Sequence, residues 1–423
     1  MYKKEVLKNG LRLITIPLKN SRSVTILILV ATGSKYETKE INGISHFLEH
    51  MFFKGTKKRP TVRDISETLD KIGGEYNAFT SKDVTGVWAK VATPYMETAL
   101  DWAADILLNS KFEEKEIEKE KGVIIEELNM YLDTPASYVT DLFEELLYKN
   151  QPAGWKIIGE KENILNLNRE KIVKYWNEHY TSENTVICIA GSFKPALIKK
   201  KVMKFFKDLK RKPTPSKAEV KEVQTKPEIL IHSKNTDQTH LCLGVRAYNI
   251  FDKRREALTL LGVILGGGMS SRLFLSVRGE NALAYYISSS FEANPDTGYL
   301  VTHAGVKNES VHKAVELILK EYRDLKEKKI SQGELKKAKD YVKGKLALSL
   351  ESSDAWASFY ASQEILREKI LTPEEKIKRI EKVTINDIKK VAEDIFLPQK
   401  LNMALIGPFK EEDKKIFEEV LII

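Results

Sequence analysis

The chain repeats itself. Thr85-Gly86-Val87-Trp88 returns as Thr297-Gly298-Tyr299-Leu300, 212 residues on (85 to 297). Ile189-Ala190-Gly191-Ser192-Phe193-Lys194 returns as Leu405-Ile406-Gly407-Pro408-Phe409-Lys410, 216 residues on (189 to 405). The first motif is followed each time by a stretch of helical periodicity, at 95–108 and at 311–325. Agreement in spacing and in element order points to an internal duplication, which restricts the fold to two halves built on one plan. A length of 423 residues gives each half ample core. Between them, 210–227 is rich in lysine and proline and poor in apolar residues, the composition of a linker. The expected domains are therefore 1–209 and 228–423, joined by 210–227.

Local signals fill in the first half. Residues 6–16 read as a hairpin turning at Asn9-Gly10. The continuous apolar run 24–31 suits a central strand buried on both faces. A helix over 65–72 is stopped by Gly73-Gly74, and 75–80 and 84–91 read as paired strands. A long charged helix is predicted over 113–131, and 185–191 closes the half as a strand. Strands and helices do not alternate strictly, so the fold class is α+β, two homologous halves with largely antiparallel sheets.

One stretch carries chemistry. In His46-Phe47-Leu48-Glu49-His50 two histidines four apart on a helix share a face, so both imidazoles can converge on one ion. Zinc suits imidazole, and a catalytic zinc keeps three protein ligands and an open position. Glu49 lies near that face, placed to polarise a water, and H-x-x-E-H is a metallopeptidase signature. The same five residues would also serve as two buried histidines on an apolar helix, so a third ligand must be found.

The helix at 113–131 offers one. At about 100° per residue, Ile117, Ile124, Leu128 and Tyr131 form an apolar stripe. Glu120 and Glu127 fall within or beside it, whereas Glu126 points to the polar face. Carboxylates on a core-facing stripe are costly unless a partner or a metal neutralises them. Glu127 is thus the expected third ligand, and Glu120 a carboxylate behind a histidine that fixes its tautomer. On the helix alone, a pair of salt-bridged glutamates is the better reading; beside His46 and His50 it is not. In the second half the corresponding place holds an apolar run, 258–265, then Gly266-Gly267-Gly268-Met269-Ser270-Ser271-Arg272, without histidine or carboxylate. One zinc per chain is expected. The three glycines either let a peptide approach closely or cap a helix.

Composition narrows the partners. The +9 formal charge comes from lysines scattered along the chain, with no nucleic-acid-binding signature. Cys188 and Cys242 sit in apolar runs, which favours buried thiols in a reducing compartment. The first ten residues contain no apolar core of a secretion signal, and the run at 24–31 is far short of the ~20 residues that span a bilayer. A cytoplasmic protein that binds neither nucleic acid nor membrane is expected.

The chain resembles the inverzincin superfamily of pitrilysin, insulin-degrading enzyme and mitochondrial processing peptidase, the short bacterial processing-peptidase-like members in particular. The likeness runs over nearly the whole chain. It includes Asn9-Gly10-Leu11, Gly33-Ser34, the run from His46 to Lys54-Gly55-Thr56, Asn77-Ala78-Phe79-Thr80, Glu120 and Gly122-Val123-Ile124-Ile125-Glu126-Glu127-Leu128. The resemblance implies a clam-shell of two halves around a chamber, with the distal zinc ligand at Glu127. It also implies an arginine-tyrosine pair, Arg278 and Tyr285, that holds and polarises the substrate carbonyl. Their loop departs from the family pattern at Gly279 and Ala282, where relatives tend to carry an acid and a glycine. Asn77, Ala78 and Phe79 are expected to form an edge that pairs with an extended peptide. The implied function is zinc-dependent endopeptidase action on peptides or small unfolded polypeptides, with Glu49 as general base. The alternative is a catalytically silent partner subunit, and a hydrolase of non-peptide substrates also fits a zinc site. With zinc helix and arginine-tyrosine pair in one chain, a homodimer or monomer is expected.

Overall fold

The computed structural model describes residues 2–366 and 369–423. The first half runs β1 (Lys3–Val6), β2 (Arg12–Pro17), β3 (Ser23–Val30), α1 (Ile44–Met51), α2 (Val62–Asp70), β4 (Glu75–Thr80), β5 (Thr85–Ala92), α3 (Met96–Leu108), α4 (Glu114–Leu132), α5 (Pro135–Tyr148), α6 (Lys161–Asn166), α7 (Arg169–His179), β6 (Thr185–Gly191) and α8 (Pro195–Phe206). The second runs β7 (Glu228–Ser233), β8 (Gln238–Arg246), α9 (Arg255–Gly266), β9 (Ala284–Ala293), β10 (Gly298–Lys307), α10 (Val311–Glu327), α11 (Gln332–Ser349), α12 (Ser353–Leu366), α13 (Pro373–Lys382), α14 (Ile385–Ile395), β11 (Leu401–Gly407) and α15 (Lys414–Val420). The order is the same from β2 and β7 onward, except that α2 has only a π-helical turn, Phe274–Gly279, in its place.

Apart from the additional β1, the sheets match strand for strand. The first is ordered β1-β2-β6-β3-β5-β4 and the second β7-β11-β8-β10-β9. Each has one parallel pair, β2 with β6 and β7 with β11, and is otherwise antiparallel. Hairpin β1–β2 turns where Asn9-Gly10 predicts, with Gly10 at φ 89° and its amide donating to the Leu7 carbonyl at 2.9 Å. Residues 210–224 form no regular element. Among the described residues no helix is long and apolar enough to cross a membrane.

The chain packs as two compact units. One comprises Met1–Asn129, Trp155–Ala218 and Ala347–Leu371, the other Met130–Gly154, Glu219–Leu346 and Thr372–Ile423. These units depart from the sequence halves by a reciprocal exchange: α5, from the first half, belongs to the second unit, and α12, from the second half, to the first.

The strands demand that exchange. In the first sheet α3 packs on β3 and β5, while α12 packs on β2, β3 and β6. Leu27 and Leu29 of β3 and Val186, Cys188 and Ala190 of β6 meet Ala357, Tyr360 and Ala361 of α12. Their alternates Ile26, Ile28, Ile187 and Ile189, on the opposite face by the period of two, are also fully buried. In the second sheet Leu241, Leu243, Met403 and Leu405 face the cluster built with α9 and α10. Cys242, Ala404 and Ile406 face Val139, Leu142 and Phe143 of α5. The exchanged helices thus make each central strand doubly buried.

Phe143 tests this packing. It is fully buried, its ring 5.5 Å from that of Tyr299. Phe143→Ala should destabilise by about 3–5 kcal/mol in denaturant titration, as large-to-small core substitutions do. Hydrogen exchange should quicken in β8 and β11, elements of the other sequence half, more than in β3 and β6.

Candidate active site

Helix α1 begins at Gly43, whose φ of 99° and contact with the Ile158 carbonyl, 2.6 Å from where a Cβ would stand, leave no room for a side chain. His46 and His50 stack one turn apart with ring centroids 4.7 Å from each other. Across from them α4 presents Glu127. One carboxylate oxygen lies 3.3 Å from His50 Nε2 and the other 3.7 Å from His46 Nε2. Among the described residues this is the only trio of such side chains whose ligand atoms all lie within 4.8 Å of one another.

The arrangement fits a zinc ion. Tetrahedral ligand atoms at bond lengths of about 2.0–2.1 Å stand roughly 3.3 Å apart, close to the separations from Glu127. The donor set, two imidazoles and a carboxylate, is one that catalytic zinc sites use. Glu120 accepts a hydrogen bond from His50 Nδ1 at 2.8 Å, and Lys54 Nζ lies 2.5 Å from its other oxygen. With Nδ1 committed as donor to the buried Glu120, Nε2, which faces Glu127, is the ring atom that would ligate a metal once His50 is neutral. His46 Nδ1 is buried without a hydrogen-bond partner in the structure.

Charges here are strongly coupled. Burial works against a charged His50, but its bonds to Glu120 and Glu127 outweigh it and push the pKa up to about 9. Hydrogen bonds to His46 and His50 hold Glu127 well below the usual carboxylate range, against the opposing effect of burial. For Glu120 burial raises the pKa, and the bonds from His50 and Lys54 more than reverse this. Glu120 and Glu127 are thus held ionised, with the charges of His50 and Lys54 set against them.

The other expected residues fall as follows. Glu49 lies on α1 beside His50, half-buried. Glu126 is exposed, as the helical phase predicts. Tyr131, placed by that phase on the apolar stripe, is instead 43% exposed, at the end of α4 that passes from the first unit to the second after Asn129. Asn77, Ala78 and Phe79 lie on β4, the edge strand, which packs against α1. The Ala78 amide bonds to Asn77 Oδ1 at 2.9 Å, and Phe79 is 40% exposed. Arg278 and Tyr285 belong to the second unit. The Arg278 guanidinium lies 5.0 Å from the Phe274 ring and 6.0 Å from that of Tyr285, and Tyr285 is largely exposed. Ala282, where the family tends to carry glycine, has φ 51°, the left-handed region in which a Cβ is strained. The glycines at 266–268 end α9, with Gly267 at its C-cap. Sequence reading assigned no role to Lys54; its position one turn past His50 was the available signal.

Comparison with known proteins shows the family. Residues 12–161 match the family described as Insulinase (Peptidase family M16), and 166–342 match the Peptidase M16 inactive domain. The uncharacterized zinc protease YmxG of Bacillus subtilis is 38% identical over 96% of this chain and 98% of its own length. The uncharacterized zinc protease SCO5738 of Streptomyces coelicolor is 31% identical over 97% of this chain and 90% of its own. A protease from Helicobacter pylori of known crystal structure superposes with a TM-score of 0.90 at 25% identity, covering 96% of this chain and 99% of that one. The chain belongs to peptidase family M16.

Three carboxylates should separate in a zinc-content assay. Glu127→Gln is expected to lose most of its bound zinc, while Glu126→Gln keeps it. Glu120→Gln should lie between, weakening zinc by about 10–100-fold, the usual effect of an outer partner of a ligating histidine.

Proposed function

We propose that this chain is a zinc metalloendopeptidase acting on peptides or small unfolded polypeptides. The observation that carries the reading is the convergence of His46, His50 and Glu127, with Glu49 on the same helix and not among the ligand trio. His46, His50 and Glu127 would hold the ion, and Glu120 would keep His50 in the ligating tautomer. When bound, zinc supplies Lewis acidity and lowers the pKa of water towards about 7. The Glu49 carboxylate takes a proton from the attacking water and delivers it to the leaving amide nitrogen. Arg278 and Tyr285 hold and polarise the scissile carbonyl, in the enclosed chamber that the family resemblance implies. The free edge of β4 pairs with the main chain of an extended peptide, once Asn77 Oδ1 releases the Ala78 amide.

A silent partner subunit is the competing reading, and the name of the family matching 166–342 keeps it in view. That stretch contains none of the proposed ligands, which all lie in the match over 12–161. A silent chain has no physical reason to hold a complete donor set with a carboxylate poised beside it. We further infer a homodimer or monomer in the cytoplasm, a reading that the free, buried thiols of Cys188 and Cys242 support.

Peptide digestion read by mass spectrometry, with and without a chelator, tests the activity itself. Glu49→Gln should keep its zinc yet lose orders of magnitude in turnover, because an amide cannot accept the proton. A zinc-loaded variant that still cleaves at the wild-type rate removes Glu49 from the mechanism. Tyr285→Phe should lower turnover by about 10²–10³ at unchanged metal content, the typical worth of one carbonyl-polarising donor.

A further inference from the structure

A second buried carboxylate bears on the site without touching it. Glu37 lies in the loop between β3 and α1 and is 4% exposed. One oxygen accepts from the Gly43 amide at 2.8 Å and from Asn42 Nδ2 at 2.9 Å. The other accepts from the Ser45 amide at 2.9 Å. Both backbone donors sit at the N-terminal end of α1, where a helix leaves amides without internal partners. Ser45, the neighbour of His46, is gripped a second time: its Oγ lies 2.9 Å from Tyr175 Oη, itself 2.9 Å from Thr32 Oγ1.

The carboxylate is anchored elsewhere. The loop that carries Glu37 is tied to the turn between β4 and β5: the Ser34 amide donates to the Ser81 carbonyl at 3.3 Å, and the Lys35 amide to the Lys82 carbonyl at 2.9 Å. Glu37 thus joins the start of α1 to the turn that follows the edge strand β4. Helix α1 has only eight residues, a length that does not hold its own geometry in isolation. It nevertheless carries both imidazoles and Glu49, where a displacement of about 1 Å is enough to cost two orders of magnitude in rate.

We propose that Glu37, backed by Tyr175, is a positioning residue that fixes α1 against the β4–β5 turn and so sets the placement of His46, Glu49 and His50. The inference rests on the zinc-site reading of those residues. Each Glu37 oxygen accepts from a backbone amide, so in Glu37→Gln the side-chain nitrogen must oppose a backbone donor whichever way it is turned. The fold keeps its core, and the loss falls on the helix start.

The test compares zinc dissociation constants by chelator competition, melting temperatures, and kcat and KM at saturating zinc. Glu364→Gln is the control for mere loss of a buried carboxylate in the same unit, since Glu364 pairs with Lys4 and Arg12 instead. Glu37→Gln is expected to weaken zinc by about tenfold or more, in the range known for partners that orient ligands. It should also lower kcat with KM little changed. Glu364→Gln should lower the melting temperature with zinc affinity and kcat as in the wild type. Equal zinc affinity and kcat in the two variants overturns the inference. Should Glu37→Gln fail to fold, Tyr175→Phe decides: a weaker zinc affinity supports the proposal, and an unchanged one overturns it. Glu127→Gln runs alongside. If it retains zinc, the metal reading itself is wrong and the inference falls with it; if it loses zinc, the Glu37 comparison stands alone.

Discussion

A β-strand with apolar side chains on both faces must be covered on both sides, and the helices adjacent in sequence cover only one. For β3 and β6 the second cover is α12; for β8 and β11 it is α5. Each cover comes from the other sequence half. Fully burying a side chain such as Leu27 or Leu29 is worth roughly 1.5–3 kcal/mol, so the exposed face of an uncovered sheet would cost more than a domain's net stability. The linker at 210–227 is therefore a poor place to cut. Residues 1–209 lack α12, and 228–423 lack α5, so neither segment carries the cover its own sheet requires.

The same frame bears on how the proposed metal site can exist. Two imidazoles and two carboxylates are brought together by one short helix and one long one. Without compensation the carboxylates on the buried side of α4 would be a liability. Glu120 is neutralised from two directions, by His50 and by Lys54, and Glu127 is held low by both histidines. A cation bound there would displace the proton that His50 otherwise retains, which would link metal binding to proton release. Glu126, one residue from Glu127, shares none of this because a single helical step of about 100° turns it to solvent.

The second unit shows what the duplicated plan does without a metal. Its counterpart of α1 is α9, whose apolar residues are buried and which ends in glycines. The proposed arginine-tyrosine pair lies instead on the π-helical turn and the start of the edge strand β9, with Arg278 over Phe274 and near Tyr285. Ala282 holds a left-handed conformation between them, and the tight loop keeps that geometry although the residue is not glycine.

Much of this was legible in the chain because it rests on local periodicity. His46 and His50 are four apart, Glu120 and Glu127 seven apart, and an α-helix turns both spacings into shared faces. The apolar run 24–31 announced a doubly buried strand, the Asn9-Gly10 pair a turn, and the recurrence of motifs a second copy of the fold. What covers that strand was not legible, because α12 lies more than 320 residues away and nothing local marks it as belonging to the first unit. The roles of Lys54 and Glu37 were hidden for the same reason. A hydrogen bond to Glu120 or to the start of α1 depends on where two separate segments meet, and only burial shows that it is made away from water. Tyr131 marks the boundary between the two kinds of information: the wheel put it on the apolar stripe, and the folded chain leaves it 43% exposed. The residue types and spacings thus determined which chemistry this protein can perform, and the tertiary structure decided how that chemistry is held in place.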